Sequence, residues 1–260
     1  MECILVQGIK IDLVKRNDLS DDVKFIFDAN GCFVTSGNII KNGSFLNELD
    51  VTNGSEPWLT DDSDYWRFDQ NGDLVFLVLK LPNLNLNDSK KIILPDESSE
   101  CYSIKSVSET KSFVVPPQIY RYFSPEKKYL LSVSVGAYEV GGLIRVKINN
   151  TLSLLFDNNN YLCGWVVIDP LSVVTDDFNG ETDKVAPDNF SYNIFSDFFD
   201  IVSDNQCEDM DDDMGEVTKL LSKVITPKEI RKVKGDFRAK LLQSAVDSLK
   251  DYFDDVNNSV

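Results

Sequence analysis

Between Ser112 and Pro170 the chain is a succession of short apolar runs: YLLSVSV (129–135), LIRVKI (143–148), TLSLLF (151–156) and YLCGWVVI (161–168). Sides alternate within them. Leu131, Val133 and Val135 fall on one side with Ser132 and Ser134 on the other, and Ile144, Val146 and Ile148 interleave with Arg145 and Lys147. A period of two marks a strand with one buried and one wetted face. The breaks at Gly141-Gly142, Asn149-Asn150 and Asp157 to Asn160 use residues that tolerate positive φ and close hairpins. The expectation is an antiparallel meander, with the chain around it supplying a second sheet.

The preceding residues continue in the same style. Residues 2–14 alternate and read as a strand interrupted at Gly8. VKFIFDANGCFV (23–34) and RFDQNGDLVFLVLKL (67–81) read as hairpins around Asn30-Gly31 and Asn71-Gly72. Both carry F-D-x-N-G, echoed at Phe156 to Asn160, a convergence that turn chemistry alone produces. KKIILP (90–95) and CYSIKSV (101–107) are further short strands, and no helical period occurs before residue 190. About ten short strands predict a mainly β fold, an antiparallel β-sandwich or jelly roll over residues 1–175.

From about Asp176 the character changes. Residues 176–215 read as an acidic linker, broken by an apolar-aromatic segment over 193–203 in which Ile194, Phe195, Phe198, Phe199 and Val202 take helical spacing. Asp204 to Glu216 then carries seven carboxylates and no base. A C-terminal helical arm is expected over 216–256. EVTKLLSKVI (216–225) is one short helix, and Thr226-Pro227-Lys228-Glu229 is a capping box that starts a second. Along the second, Ile230, Val233, Phe237, Leu241, Ala245, Leu249 and Tyr252 recur every three or four residues, and Gly235 marks a bend in its interior. Between 219 and 240, eight Lys and Arg face only Glu229 and Asp236, so the arm is locally basic.

Composition excludes several classes. A formal net charge of −17 argues against direct binding of nucleic acid or an anionic membrane. No apolar run approaches the roughly 18 residues of a membrane span. MECILVQGIKIDLV lacks a basic n-region and a small-residue cleavage site, so no signal peptide is expected. Cys3, Cys32, Cys101, Cys163 and Cys207 are odd in number and form no CxxC, which predicts reduced thiols in or near the core. The chain has no histidine, which removes Ser-His-Asp and Cys-His catalysis and disfavours zinc. A carboxylate pair can hydrolyse glycosides without histidine, but 43 acidic residues single out no pair. No enzyme, cofactor or metal is expected. Asp177-x-Asn179-Gly180-Glu181-x-Asp183 alternates oxygen ligands like a calcium loop. It lacks the glycine at its sixth position and the glutamate at its twelfth, and a carboxylate-rich linker explains it and Asp209, Asp211 and Asp213 equally.

Several pieces recur in a known order: Asn38-Ile39-Ile40-Lys41-Asn42-Gly43-Ser44-Phe45, Trp58, the strand Asp73–Leu81, Pro117-Gln118-Ile119-Tyr120, and Pro125-Glu126-Lys127-Lys128-Tyr129-Leu130-Leu131-Ser132-Val133. Over residues 36–170 this resembles the galactose-binding-like jelly rolls that include many carbohydrate-binding modules. The resemblance implies a β-sandwich and, more distantly, sugar binding. For that, Trp58, Tyr65, Trp66, Tyr120, Tyr122 and Tyr138 would be stacking platforms; the other reading is that they are ordinary core or edge rings. The whole chain also resembles virion proteins of AT-rich bacteriophages, rich in Asn, Asp, Ser, Ile and Lys, with a β domain and a helical tail. That likeness implies a non-enzymatic structural protein of a virion assembled in the host cytoplasm, a ring, collar, tail or neck component whose partners are copies of itself and other virion proteins. The expected subunit interface is the two apolar stripes: Ile194, Phe195, Phe198 and Phe199, then Ile230, Val233, Phe237, Leu241 and Leu249.

Overall fold

The computed structural model describes residues 1–16, 23–28, 31–37, 52–55, 63–86, 93–107, 112–134, 142–178, 180–203 and 214–257. Among these the protein is mainly β, with two sheets and a C-terminal helical region. The first hairpin forms as its alternation predicts. β1 (Glu2–Val6) and β2 (Ile9–Arg16) pair antiparallel across Gly8, whose φ of 84° suits the left-handed turn. The second runs from β3 (Val23–Ile26) to β4 (Phe33–Gly37), and β5 (Asn53–Ser55) follows. β6 (Tyr65–Phe68) and β7 (Leu74–Lys80) close around Asp69, whose Oδ1 accepts from the Asn71 and Asp73 amides. Asp157 does the same for Asn159 and Tyr161, so the repeated motif is a recurrent hairpin turn.

The remaining strands are β8 (Leu84–Asn85), β9 (Glu97–Ser106), β10 (Ser112–Phe113), β11 (Tyr120–Ser124), β12 (Tyr129–Val133), β13 (Ile144–Lys147), β14 (Leu152–Phe156), β15 (Leu162–Ile168) and β16 (Val174–Thr175). Ile93 to Asp96, the described end of the predicted strand at 90–95, is not a strand. A nine-stranded sheet has the order β1-β2-β9-β13-β14-β15-β12-β11-β8, and a seven-stranded sheet the order β10-β5-β6-β7-β4-β3-β16. The meander holds in β13-β14-β15, but β12 pairs with β15 on its far side instead of with β13. The sheets are mixed, which corrects the purely antiparallel expectation. β13–β9, β11–β8, β10–β5 and β16–β3 run parallel. The reason lies in connection length: a hairpin forces antiparallel pairing, whereas these four pairs join segments far apart in sequence, which are free to align either way.

One hydrophobic core lies between the sheets, with Trp66, Phe68, Leu77 and Leu79 from one and Leu130, Leu154, Trp165 and Val167 from the other. Among the described residues one carboxyl is buried. The Asp64 side chain is fully buried, its Oδ1 accepts from the Lys80 amide at 2.8 Å, and its Oδ2 has no hydrogen-bond partner among the described residues.

Among the described residues four α-helices follow: α1 (Asn189–Ile201), α2 (Met214–Val224), α3 (Pro227–Ile230) and α4 (Asp236–Asn257). The expected long second helix is two elements. Gly235, at φ 109°, ends a turn between α3 and α4 instead of bending one helix. Thr226 does cap α3, its Oγ1 accepting from the Glu229 amide at 3.2 Å, but the Glu229 carboxylate turns to Lys232 and leaves the reciprocal half of the capping box unmade. Replacing Thr226 by alanine is expected to cost about 1 kcal/mol in urea unfolding, with serine restoring most of it. An alanine variant as stable as the parent would remove the cap from the account.

Candidate functional site

The helices form a layer built into the core. At the start of α1, Asp188 accepts from the Ser191 amide at 2.9 Å and the Ser191 hydroxyl at 2.8 Å, bonds that hold its carboxyl below the usual aspartate range. The Ser191 oxygen in turn accepts from the Lys234 amide, tying the turn before α4 to α1. Phe195, Phe198 and Phe199 surround the Phe27 ring at centroid distances of 5.0, 5.1 and 5.8 Å. Phe123 of β11 meets Phe199 at 5.4 Å and Tyr192 at 5.9 Å. Arg121, buried beside Phe123, closes the other end of α1. It donates to the Phe199 and Val202 carbonyls, lies over the Phe199 ring, and is steadied by Asn85 Oδ1 at 2.7 Å. A cation at carbonyls left open by a helix C-terminus is favourable both as hydrogen bonding and as charge against dipole.

α4 is held by charge as well. Asp183 accepts from the Phe237 and Arg238 amides and so caps its first turn. Arg238 is fully buried and donates to the carbonyls of Leu171, Lys234 and Val185, with Asp183 3.8 Å away. The Tyr192 hydroxyl donates to Asp169, and burial together with that carboxylate drives its pKa well above the usual tyrosine range. These contacts account for Asp183 without a metal; Asn179, Asp209, Asp211 and Asp213 lie outside the described residues, and no cluster of three metal-ligating side chains occurs among the described ones.

The residues expected at a subunit interface are therefore placed elsewhere. Ile194, Phe195, Phe198, Phe199, Ile230, Val233 and Leu241 are buried in the chain's own core, and Phe237 and Leu249 pack against it half-buried. The physical reason is that the sandwich leaves an apolar side between β3 and β11, and α1, being apolar on the matching side, covers it. Residues 216–256 are thus no free arm: Val217, Leu221, Ile225, Leu242 and Val246 share the same core cluster as the sheets. The helical layer presents charge of both signs to solvent, with carboxylates at Asp197, Asp200, Glu216, Asp236, Asp247 and Asp251 and a concentration of cations over residues 219–240. Lys219, Lys223, Lys228, Arg231, Lys234 and Lys240 are exposed and make no ion pair among the described residues, whereas Lys232 pairs with Glu229 at 2.8 Å.

The aromatic candidates separate. Trp66 is fully buried and unavailable for stacking. Tyr65 sits half-buried beside Phe76 and Val78 on the outer face of the seven-stranded sheet. Tyr120 and Tyr122 lie together on the outer face of the nine-stranded sheet, half-buried against Leu131, Val133, Leu155 and Val166, with Tyr122 6.0 Å from the Tyr129 ring. Trp58, Tyr138 and the opening motif Asn38 to Phe45 lie outside the described residues. Cys3, Cys32 and Cys163 are buried free thiols, with burial raising the first two to about 11 and the third to about 12, so none is a ready nucleophile at neutral pH. No helix among the described residues is long and apolar enough to cross a membrane. Comparison of the chain with protein-family models, with curated proteins and with solved structures returns no match.

Proposed function

We propose that this chain is a non-enzymatic structural component of a bacteriophage virion, a ring, collar, tail or neck protein that works as one of several copies beside other virion proteins. The observation that carries the reading is a local segregation of charge: over residues 219–240 six exposed cations make no ion pair among the described residues, on helices fixed to the core of a chain whose net charge is −17. Complementary charge of this kind sets the register and orientation of contacts between subunits. A chain without histidine fits a scaffold more readily than a hydrolase. The contact surface in this reading is the exposed, cation-rich stretch 219–240 of the helical layer, since the apolar side of that layer is already covered.

The second reading is a carbohydrate-binding module or adhesin domain, favoured by Tyr120 and Tyr122 side by side on one sheet face. Light scattering on the full chain, run beside a glycan array, separates the two. A discrete oligomer of one size without glycan retention is the expected result. A monomer retained by specific glycans, and released when Tyr120 and Tyr122 become alanine, would replace the assembly reading with the second. Deleting the tail is the wrong test, because it removes Leu221, Ile225, Leu242 and Val246 from the core.

A further inference from the structure

We infer that the basic surface of the helical layer docks the acidic stretch 204–213 of a second copy of this chain, in a head-to-tail contact. The inference rests on the assembly reading and names the partner of that surface. Lys219 and Lys223 stand one turn apart on α2, Lys228 lies in α3 with Arg231 directly after it, and Lys234 follows in the turn before α4. All are exposed and none makes an ion pair among the described residues, although the Lys234 charge is felt by the Asp188 carboxylate. Copies carrying −17 each repel one another in most orientations. The favourable orientation sets this cationic surface against the most acidic part of a neighbour. In sequence that part is Asp204, Glu208, Asp209, Asp211, Asp212 and Asp213, six carboxylates in ten residues without one base. It continues the exposed Asp197 and Asp200 at the end of α1. Since the two surfaces differ, each copy offers one of each. The contact is heterologous, so it repeats from copy to copy, giving a ring where the rotation between copies closes and a filament where it does not.

A complementation experiment on full-length chains tests this. One variant reverses the basic side (Lys219→Glu, Lys223→Glu, Lys228→Glu); the other neutralises the acidic stretch (Asp209→Asn, Asp211→Asn, Asp213→Asn). Light scattering is expected to find the parent oligomeric at low salt and dissociated at high salt, and each variant monomeric with an unchanged circular dichroism spectrum. Mixed, the two variants should form a heterodimer and nothing larger, because one intact basic surface and one intact acidic stretch remain between them. An oligomer that persists in both variants would overturn this contact while leaving assembly standing. A parent that is monomeric at every salt concentration would overturn both. Monomeric variants that fail to pair on mixing would also refute the contact, since the acidic stretch would then be acting within its own chain.

Discussion

Replacing Arg238 by alanine is expected to destabilise the protein by about 3–5 kcal/mol and to open the helical layer to protease. The guanidinium is fully buried and spans three backbone segments, with 2.7 Å to the Leu171 carbonyl, 2.5 Å to that of Lys234 and 2.6 Å to that of Val185. Removing it leaves three carbonyls without that donor and the Asp183 carboxylate without its cation. An unmade hydrogen bond costs about 1–3 kcal/mol when the group stays buried. Lysine at this position keeps the charge but replaces a planar fork by a compact ammonium, and so should recover only part of the loss. Urea unfolding measures the first effect, and limited proteolysis near Val185 the second. A loss below about 1 kcal/mol, or a helical layer that stays resistant, would mean that the apolar contacts of α4 suffice to hold it.

Arg238 also marks what alternation and helical period leave unread. The paired strands around Gly8, the Asp69 turn and β13-β14-β15 were legible because a hairpin is a local event, decided by neighbours in sequence. The four parallel pairs were not, since nothing within β8, β10 or β16, each two residues long, encodes a distant partner. The apolar stripes of the tail were read correctly as stripes, but a helical period says only that one side seeks burial, and Phe27 and Phe123 prove to be what covers Phe199. Arg121 carried a usable signal. In Tyr120-Arg121-Tyr122-Phe123 it shares the side of Phe123, so parity places it inward, where it meets the end of α1. The exposed cations of the helical layer were legible as a local excess of charge; that they are unpaired required the structure.

Asp64→Asn is expected to stabilise the protein by about 1–3 kcal/mol at neutral pH, by removing a carboxyl whose ionisation is opposed by burial more strongly than it is favoured by Lys80. Burial is the main cause that raises the Asp64 carboxyl well above the ordinary aspartate value of 3.8, and the Lys80 amide and charge offset it only in part. The sign follows from proton binding. Below 3.8 the carboxyl is protonated in both the folded and the unfolded chain, so the parent and the variant should differ little. As pH rises past that value the unfolded chain releases its proton while the folded chain keeps it, and the parent loses stability until the folded group ionises as well. The variant lacks this loss, because asparagine offers the same acceptor to the Lys80 amide and never ionises. The capping carboxylate of Asp188, held low, works in the opposite direction in both proteins and cancels in the difference. Unfolding free energies of the two, measured from acid to neutral pH, should therefore diverge upward from 3.8. A constant gap across that range would mean that Asp64 ionises in the folded chain as it does in water. A gap that narrows as pH rises would mean that its charged form is the one the fold stabilises.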